Sequence, residues 1–437
     1  MRRILILLCL LIRLHCNGLD AKTYGAKGDG IQDDSYSLNG AIAKALSLGE
    51  DLFIPAGIYK CDQPGSGFKI LRMDQIGIKK IRIYGEIGTK ITTSQLLGCL
   101  FYIYYKNTDV VIEKIFFENT HAITESQTNG IQLLGTNENA ITNFTIQNCR
   151  FEGFSTAILA QGVKGLTIQN NYFESTGGHD GAQNNSQPAV FIWLADNSNG
   201  QCYDVKILNN NVNGYTGNDI SQTITKRPMD GFVFGIAYGI RIEGNTTQNL
   251  CEEHIFLQPL STYPDLNYET LIAFNQLNLS IPSGSIKAGI PLLSNYGVRT
   301  DCNNVIIEKN DFYNYSLGIL IWPFAYQNLK QHDYTVSGNK FYSSQNALYD
   351  VREAIKIQSS PTNHAYNIMV AKNLIDIDNV TLKSSRSVIS VYDCENVKIS
   401  NNTISGKNIN LNGFSLSGLL IQNCLNVVNE NNTVMLK

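Results

Sequence analysis

Ile168-Gln169-Asn170-Asn171-Tyr172-Phe173 carries the pattern that decides the fold: a β-prone apolar residue, Asn three positions on, and a second apolar residue at +5. The phrase returns as Ile207-Asn210-Val212, Ile272-Asn275-Leu277, Ile307-Asn310-Phe312, Val336-Asn339-Phe341, Val370-Asn373-Ile375 and Ile399-Asn402-Ile404. Weaker copies flank these. Ile242-Asn245-Thr247 loses the last apolar residue, Asn429-Asn432-Val434 the first, and Ile112-Ile115-Phe117 and Ile146-Cys149-Phe151 lose the Asn. The anchors run from 112 to 429 in steps of 22 to 39 residues, about 32 on average.

Each unit holds a second short apolar run, such as Gly130–Leu134, Ala189–Leu194, Gly318–Trp322 or Ala354–Ile357. Runs this short, rich in β-branched residues and bounded by Gly and Asn, read as strands, and helical periodicity is nearly absent. Two or three short strands per irregular repeat predict an all-β solenoid: a right-handed parallel β-helix of about 11–12 coils stacked ~4.8 Å apart. A propeller needs four strands per blade, more than these units hold. The recurrent Asn is expected at a corner, tolerating left-handed backbone and bonding to its copy one coil away.

Residues 1–18 read as a secretion signal, with Arg2 and Arg3 ahead of the apolar run Ile4–Ile12 and small Gly18 after it. That run is too short to span a bilayer, and no later run reaches the required length. Residues 19–437 follow as a single β-helix domain whose cap occupies about 19–60. The whole chain carries a net charge of −3. Without the signal, 31 Lys and Arg face 37 Asp and Glu, a net of −6. Such a chain has no field for nucleic acid, and with 43% hydrophobic and 16% charged residues it is not disordered. Of the cysteines, Cys394 and Cys424 fall at equivalent positions on adjacent coils, which suits a disulfide or a pair of buried thiols.

Residues 21–59 depart from the repeat. A turn-rich loop precedes Asp33-Asp34-Ser35, which offers N-cap side chains to a helix near 35–48 with Leu38, Ile42, Ala45 and Leu46 on one face. The stretches Y-G-A-K-G-D-G-I-Q-D-D-S (24–35) and F-I-P-A-G-I-Y (53–59) resemble the opening of the pectate-lyase-like domain. That domain is found in rhamnogalacturonases, polygalacturonase relatives, epimerases and phage tailspikes. The resemblance implies a capped β-helix acting on polysaccharide, with Asp33 and Asp34 as structural capping residues.

One-coil spacing stacks equivalent residues, which suits paired carboxylates for acid–base work on a glycosidic bond. The longest coils begin at Ile168 and Ile207, so their turns are expected to wall a groove. Asp230 stands before one strand, and Glu252, Glu253 and His254 stand before the next, making these four the catalytic candidates. Met229-Asp230-Gly231 and Cys251-Glu252-Glu253-His254 are similar to the N-T-D and D-D motifs of polygalacturonase-type hydrolases, but the first lacks N-T, the second carries Glu, and G-H-G is absent. For substrate binding the candidates are Arg299 for a sugar carboxylate, His179 and Asp180 in a Gly-rich turn, and Trp193 and Trp322 for stacking on a pyranose. Arg352, Glu353 and Lys356 read as a surface charge cluster on a distant coil. With six His and no metal-ligand spacing, no metal site or cofactor is expected, apart from Ca²⁺ if the chemistry is that of a lyase.

The expectation is therefore a secreted or extracytoplasmic enzyme cleaving a polysaccharide, first as a glycoside hydrolase. A lyase or uronate epimerase is the second reading, and a non-catalytic glycan-binding or adhesive rod the third. Polysaccharide is the expected partner, with no nucleic acid and no membrane span.

Overall fold

A computed structural model describes residues 18–437 except 64–68, 74–78, 105–107, 122–126, 175–187, 193–199, 215–229, 236, 251–252, 259–266, 280–295, 316, 323–330, 344–352, 363, 381 and 383–384. The signal segment 1–17 lies outside the described residues. Three parallel sheets run the length of the chain as the faces of a solenoid. Sheet A has 14 strands, from Gly18–Asp20 to Leu425–Glu430, and sheet B has 14, from Asp29–Asp33 to Thr433–Leu436. Sheet C has 12, from Lys69–Met73 to Leu416–Gln422. Each coil visits A, B and C in turn and then pairs in parallel with the next, so every strand lies beside its copies one coil away. Among the described residues no helix is long and apolar enough to cross a membrane.

The corner between sheets A and B explains the Asn at +3. From Lys114 onward two residues turn this corner in each coil, and the first carries the positive φ, as at Asn170, Asn209, Phe274, Lys309, Lys372 and Asn401. The recurrent Asn is the second of the two. Left-handed backbone thus falls one residue earlier than the sequence pattern suggests, while the coil-to-coil bond is present. Asn210 Oδ1 accepts from the backbone N–H of Asn171 and from its Nδ2, both at 3.0 Å. Asn210 Nδ2 donates back to the Ile168 carbonyl at 2.9 Å and on to Asn245 Oδ1 at 3.0 Å. The same links continue through Asn275, Asn310, Asn339, Asn373 and Asn402 to Asn432. Each amide therefore satisfies one N–H and one carbonyl that the sharp corner removes from the sheets, which would otherwise be buried without partners. Where Asn is replaced by Cys149, its N–H is still taken by Asn171 Oδ1, and its thiol lies against the Ile112 carbonyl at 3.8 Å.

Inside, the sheet A column Ile112, Ile146, Ile168, Ile207, Ile242, Ile272 and Ile307 is fully buried. Sheet B contributes Phe rings stacked coil on coil: Phe117, Phe151 and Phe173 at 5.2 Å centroid spacing, and Phe312 and Phe341 at 4.6 Å. Sheet C answers these rings with small residues at one inward position, Gly130, Ala157, Ala189, Gly297, Gly318 and Ala354. A Cβ on Gly297 would come within 2.6 Å of Phe312, and one on Gly318 within 2.5 Å of Phe341. Ring volume on one face thus requires its absence on the other.

The helix α1, Ser35–Leu48, takes the place of a sheet C strand before the first coil and buries Leu38, Ala41, Ile42, Ala45 and Leu46. Its Asn39 closes the open strand edge, donating to the Ile70 carbonyl at 2.7 Å and accepting from the Arg72 N–H at 2.9 Å. The two acids before it are structural, though only one serves the helix. Asp33 accepts the N–H groups of Ser35 and Asp62, whereas buried Asp34 holds the loop N–H groups of Lys27 and Gly28. Cys394 and Cys424 occupy neighbouring coils as free thiols, with Cys394 Sγ 3.0 Å from the Tyr392 carbonyl and Cys424 Sγ 3.5 Å from that of Val391.

Candidate functional site

Three residues of sheet C and its margins converge from coils far apart in sequence. Glu253 opens the strand Glu253–Leu257, and the next strand in the sheet is Tyr296–Thr300, with Arg299 beside Phe256 in register. Arg299 Nη1 lies 3.0 Å from Glu253 Oε1, forming an ion pair in which Glu253 is nearly buried and Arg299 a quarter exposed. Aromatic rings surround the guanidinium: its carbon lies 4.5 Å from the Phe256 centroid, 5.6 Å from Trp322 and 6.0 Å from Tyr296. Parallel stacking makes this set, because equivalent outward positions of adjacent coils sit one strand spacing apart.

Asp301, two residues after Arg299, completes the group. It is 4% exposed, and its Oδ1 is buried with no hydrogen-bond partner among the described residues. Burial pushes its carboxyl up to about 7; the Arg299 charge opposes this and the Glu253 charge adds to it. Near neutral pH this carboxyl is divided between acid and base forms, as a general acid requires. Beside it stands a second carboxylate already paired to a cation. Two acids in different electrostatic settings, next to an exposed Trp and an Arg, are the elements of acid–base chemistry on a sugar polymer.

The sequence candidates fall into three groups. Asp230, Glu253, Arg299 and Trp322 are brought together. Asp230 is buried, and its Oδ1 accepts the Glu253 N–H at 3.0 Å, so the residue stacked on it is Glu253, 23 positions on, rather than Glu252. It anchors the backbone that presents Glu253. His254 is a correction: it occupies the inward column of small residues, is fully buried, and sets Nδ1 2.6 Å from Thr247 Oγ1. Burial lowers its pKa to about 3, so the ring is neutral and shut away from any sugar. Glu252, His179, Asp180 and Trp193 lie outside the described residues.

Glu353 and Lys356 are nearer than their place in the sequence suggests. Lys356 follows Arg299 and Leu320 in one outward column, and Glu353 follows Tyr296 and Leu317 in another. The pair, 3.7 Å apart, repeats the Glu253–Arg299 motif two coils along the same face, while Arg352 lies outside the described residues. Asp301 was missed because no motif marks it; the available signal was an acid directly after an apolar strand, two residues from an Arg already singled out. Among the described residues no group of three or more His, Cys, Asp or Glu is placed to hold a metal ion.

The fold is that of the right-handed parallel β-helix, the architecture of pectate-lyase-like proteins. Among solved structures, the chain is similar to the A-module of mannuronan C-5 epimerase AlgE6 from Azotobacter vinelandii, with TM-score 0.57, 13% identity, and coverage of 94% of this chain and 99% of that one. PfbA, a surface adhesin of Streptococcus pneumoniae, aligns at TM-score 0.54 and 16% identity over 90% of this chain and 91% of that one. A mutant tailspike protein of the E. coli bacteriophage HK620, in complex with a pentasaccharide, aligns at 0.55 and 13% over 94% and 80%. No family model matches. A stretch of 41 residues is 49% identical to the non-secreted LysM effector LysM19 of Penicillium expansum, covering 9% of this chain and only 3% of that protein.

Proposed function

We propose that this protein is a secreted carbohydrate-active enzyme that hydrolyses an acidic polysaccharide laid along sheet C. The observation that carries the reading is the Asp301 carboxyl, buried and raised to about 7 beside the Glu253–Arg299 ion pair. Asp301 gives its proton to the glycosidic oxygen as that bond to the anomeric carbon breaks. Glu253 serves at the same carbon, as base toward water or as nucleophile, and water supplies the hydroxyl of the product. Trp322, 38% exposed, offers a ring face to a pyranose, and Arg299 and Lys356 suit sugar carboxylates repeating along the chain.

A lyase or uronate epimerase needs a base beside the sugar α-carbon, a role that buried His254 cannot fill. A non-cleaving glycan-binding rod is favoured by the ion pair, which engages the carboxylate a base would use. Incubation with acidic and neutral polysaccharides, reading reducing ends and ultraviolet absorbance together with the C-5 configuration of the sugars by NMR, separates hydrolase, lyase, epimerase and rod. Reducing ends without absorbance, abolished in Asp301→Asn and Glu253→Gln, are expected. Rising absorbance, or binding without chain shortening, would overturn hydrolysis.

A further inference from the structure

A groove of about 950 Å³ opens at the A–B corner near the N-terminal end, the one edge of the solenoid that sheet C does not share. Its origin is local. Three residues, Glu86-Ile87-Gly88, turn this corner where later coils use two, and Ile87 stands fully exposed on the resulting ledge. Behind the ledge the wall is aromatic and cationic, with Arg82, Tyr84, Lys114, Phe116 and Arg150.

The cations are prepared in two ways. Arg82 is ion-paired to buried Glu113 with its guanidinium 4.1 Å from the Tyr84 centroid, and Arg150 is held by Glu174 and Glu152 at 2.6 and 2.9 Å, 4.7 Å from the Phe116 centroid. Both are fixed from behind, yet their side chains remain 40% and 45% exposed. Lys114 is exposed on the left-handed corner residue and makes no ion pair among the described residues. Against three cations the groove lining holds one acid, Glu86, whose Oε1 already accepts the Ala56 N–H at 2.9 Å. With the carboxylates that hold the two guanidinium groups counted, Lys114 is the cation of this groove that no carboxylate holds among the described residues.

We infer that this groove is a second glycan site, taking a short run of carboxylate-bearing sugars between the fixed guanidinium groups and Lys114, on a different edge of the solenoid from the proposed catalytic face. Fixed guanidinium forks suit carboxylates, and fixing them in advance reduces the ordering cost of binding.

The test is titration of the full chain with hexamers of galacturonate and of mannuronate, followed by NMR or calorimetry, with a neutral glucose hexamer as control. Lys114→Asn keeps a residue suited to the left-handed corner, as Asn148 and Asn170 are in the following coils, and removes the charge. Lys114→Asn and Arg150→Gln are each expected to weaken binding of at least one acidic hexamer by about fivefold, more at low salt, with the melting temperature of Lys114→Asn unchanged. The catalytic-face variant Asp301→Asn with Glu253→Gln is expected to retain this binding. Failure of both acidic hexamers to bind, equal binding of the neutral one, or affinity unchanged in Lys114→Asn and Arg150→Gln overturns the inference. Loss of binding in the catalytic-face variant alone would do the same, by assigning the ligand to sheet C.

Discussion

At the A–B corner two residues turn the chain in every coil from Lys114 to Asn432, whereas the connections flanking sheet C run from the single residue Gly162 to the whole of 214–231. Both belong to the same coils. The corner is constant because its backbone groups are taken by the amide of the next coil, so one inserted residue would break bonds in three coils at once. Among the described residues the entrances to sheet C carry no such continuous ladder, and length there varies. The candidate site lies on the variable side: Asp301 and Trp322 sit directly after sheet C strands, and Asp230 and Glu253 at or just before their starts. A uniform corner supplies register, and the proposed site is built on the irregular rim.

The largest effect that would sharpen this comparison is at the rim. Asp301→Asn should cut turnover of any cleaved polysaccharide by about 100-fold or more, the usual range for a general acid, while leaving the fold intact. It should also stabilise the protein at neutral pH. A carboxyl raised from 3.8 to about 7 contributes stability below pH 4 that is lost as pH rises toward 7, and Asn removes that loss. The gain in melting temperature of Asp301→Asn over the wild type should be larger at pH 7.5 than at pH 4; an equal difference at both pH values would separate Asp301 from the proposed acid.

At the corner, Asn275→Ala should cost about 2–4 kcal/mol in denaturant unfolding, because it takes the partner of the Asn245 N–H and of the Ile242 carbonyl in the buried middle of the ladder, while Asn245 Nδ2 keeps the Ile207 carbonyl. Asn432→Ala removes the same kind of bonds from Asn402, but in a half-exposed coil where water replaces them, and should cost under about 1 kcal/mol. Equal costs would break the account of the ladder as a device for buried corners.

Within the core, Thr247→Val keeps shape and removes the partner of His254 Nδ1, whose Nε2 has none among the described residues, and should cost about 1–3 kcal/mol. Because burial holds this His near 3 instead of 6.5, its contribution is lost as pH falls from about 6.5 toward 3. His254→Gln should flatten that acid limb. Smallest, Trp322→Ala should raise KM by about fivefold with kcat kept, as loss of one stacking platform implies. A fall in kcat instead would place Trp322 in the chemistry.

The corner was legible because its signal is short and repeated: apolar residue, Asn at +3, apolar at +5, read without knowing any loop. Even the exception at Thr247 was visible, as the one complete Asn unit lacking its final apolar residue. Its meaning was not, because the compensating His254 lies across the coil on another sheet. The site resisted for a related reason. Glu253 and Arg299 are 46 residues apart, joined through 279–295, and no sequence spacing shows that they share a face. Asp230 and Glu252 are 22 residues apart, the shortest step of the repeat, yet the residue stacked on Asp230 is Glu253, one position on.

The Asn ladder also has a direction. Every Oδ1 reaches back to the N–H of the coil before it, so each corner is completed only when its successor arrives. For a chain emerging from its N-terminus, α1 closes the first edge and each new coil seals the last, leaving one corner open at the growing tip. Assembly then resembles a ratchet more than a collapse: the finished part is already satisfied behind the advancing edge, and an interrupted chain carries a single unsealed turn rather than a disordered core.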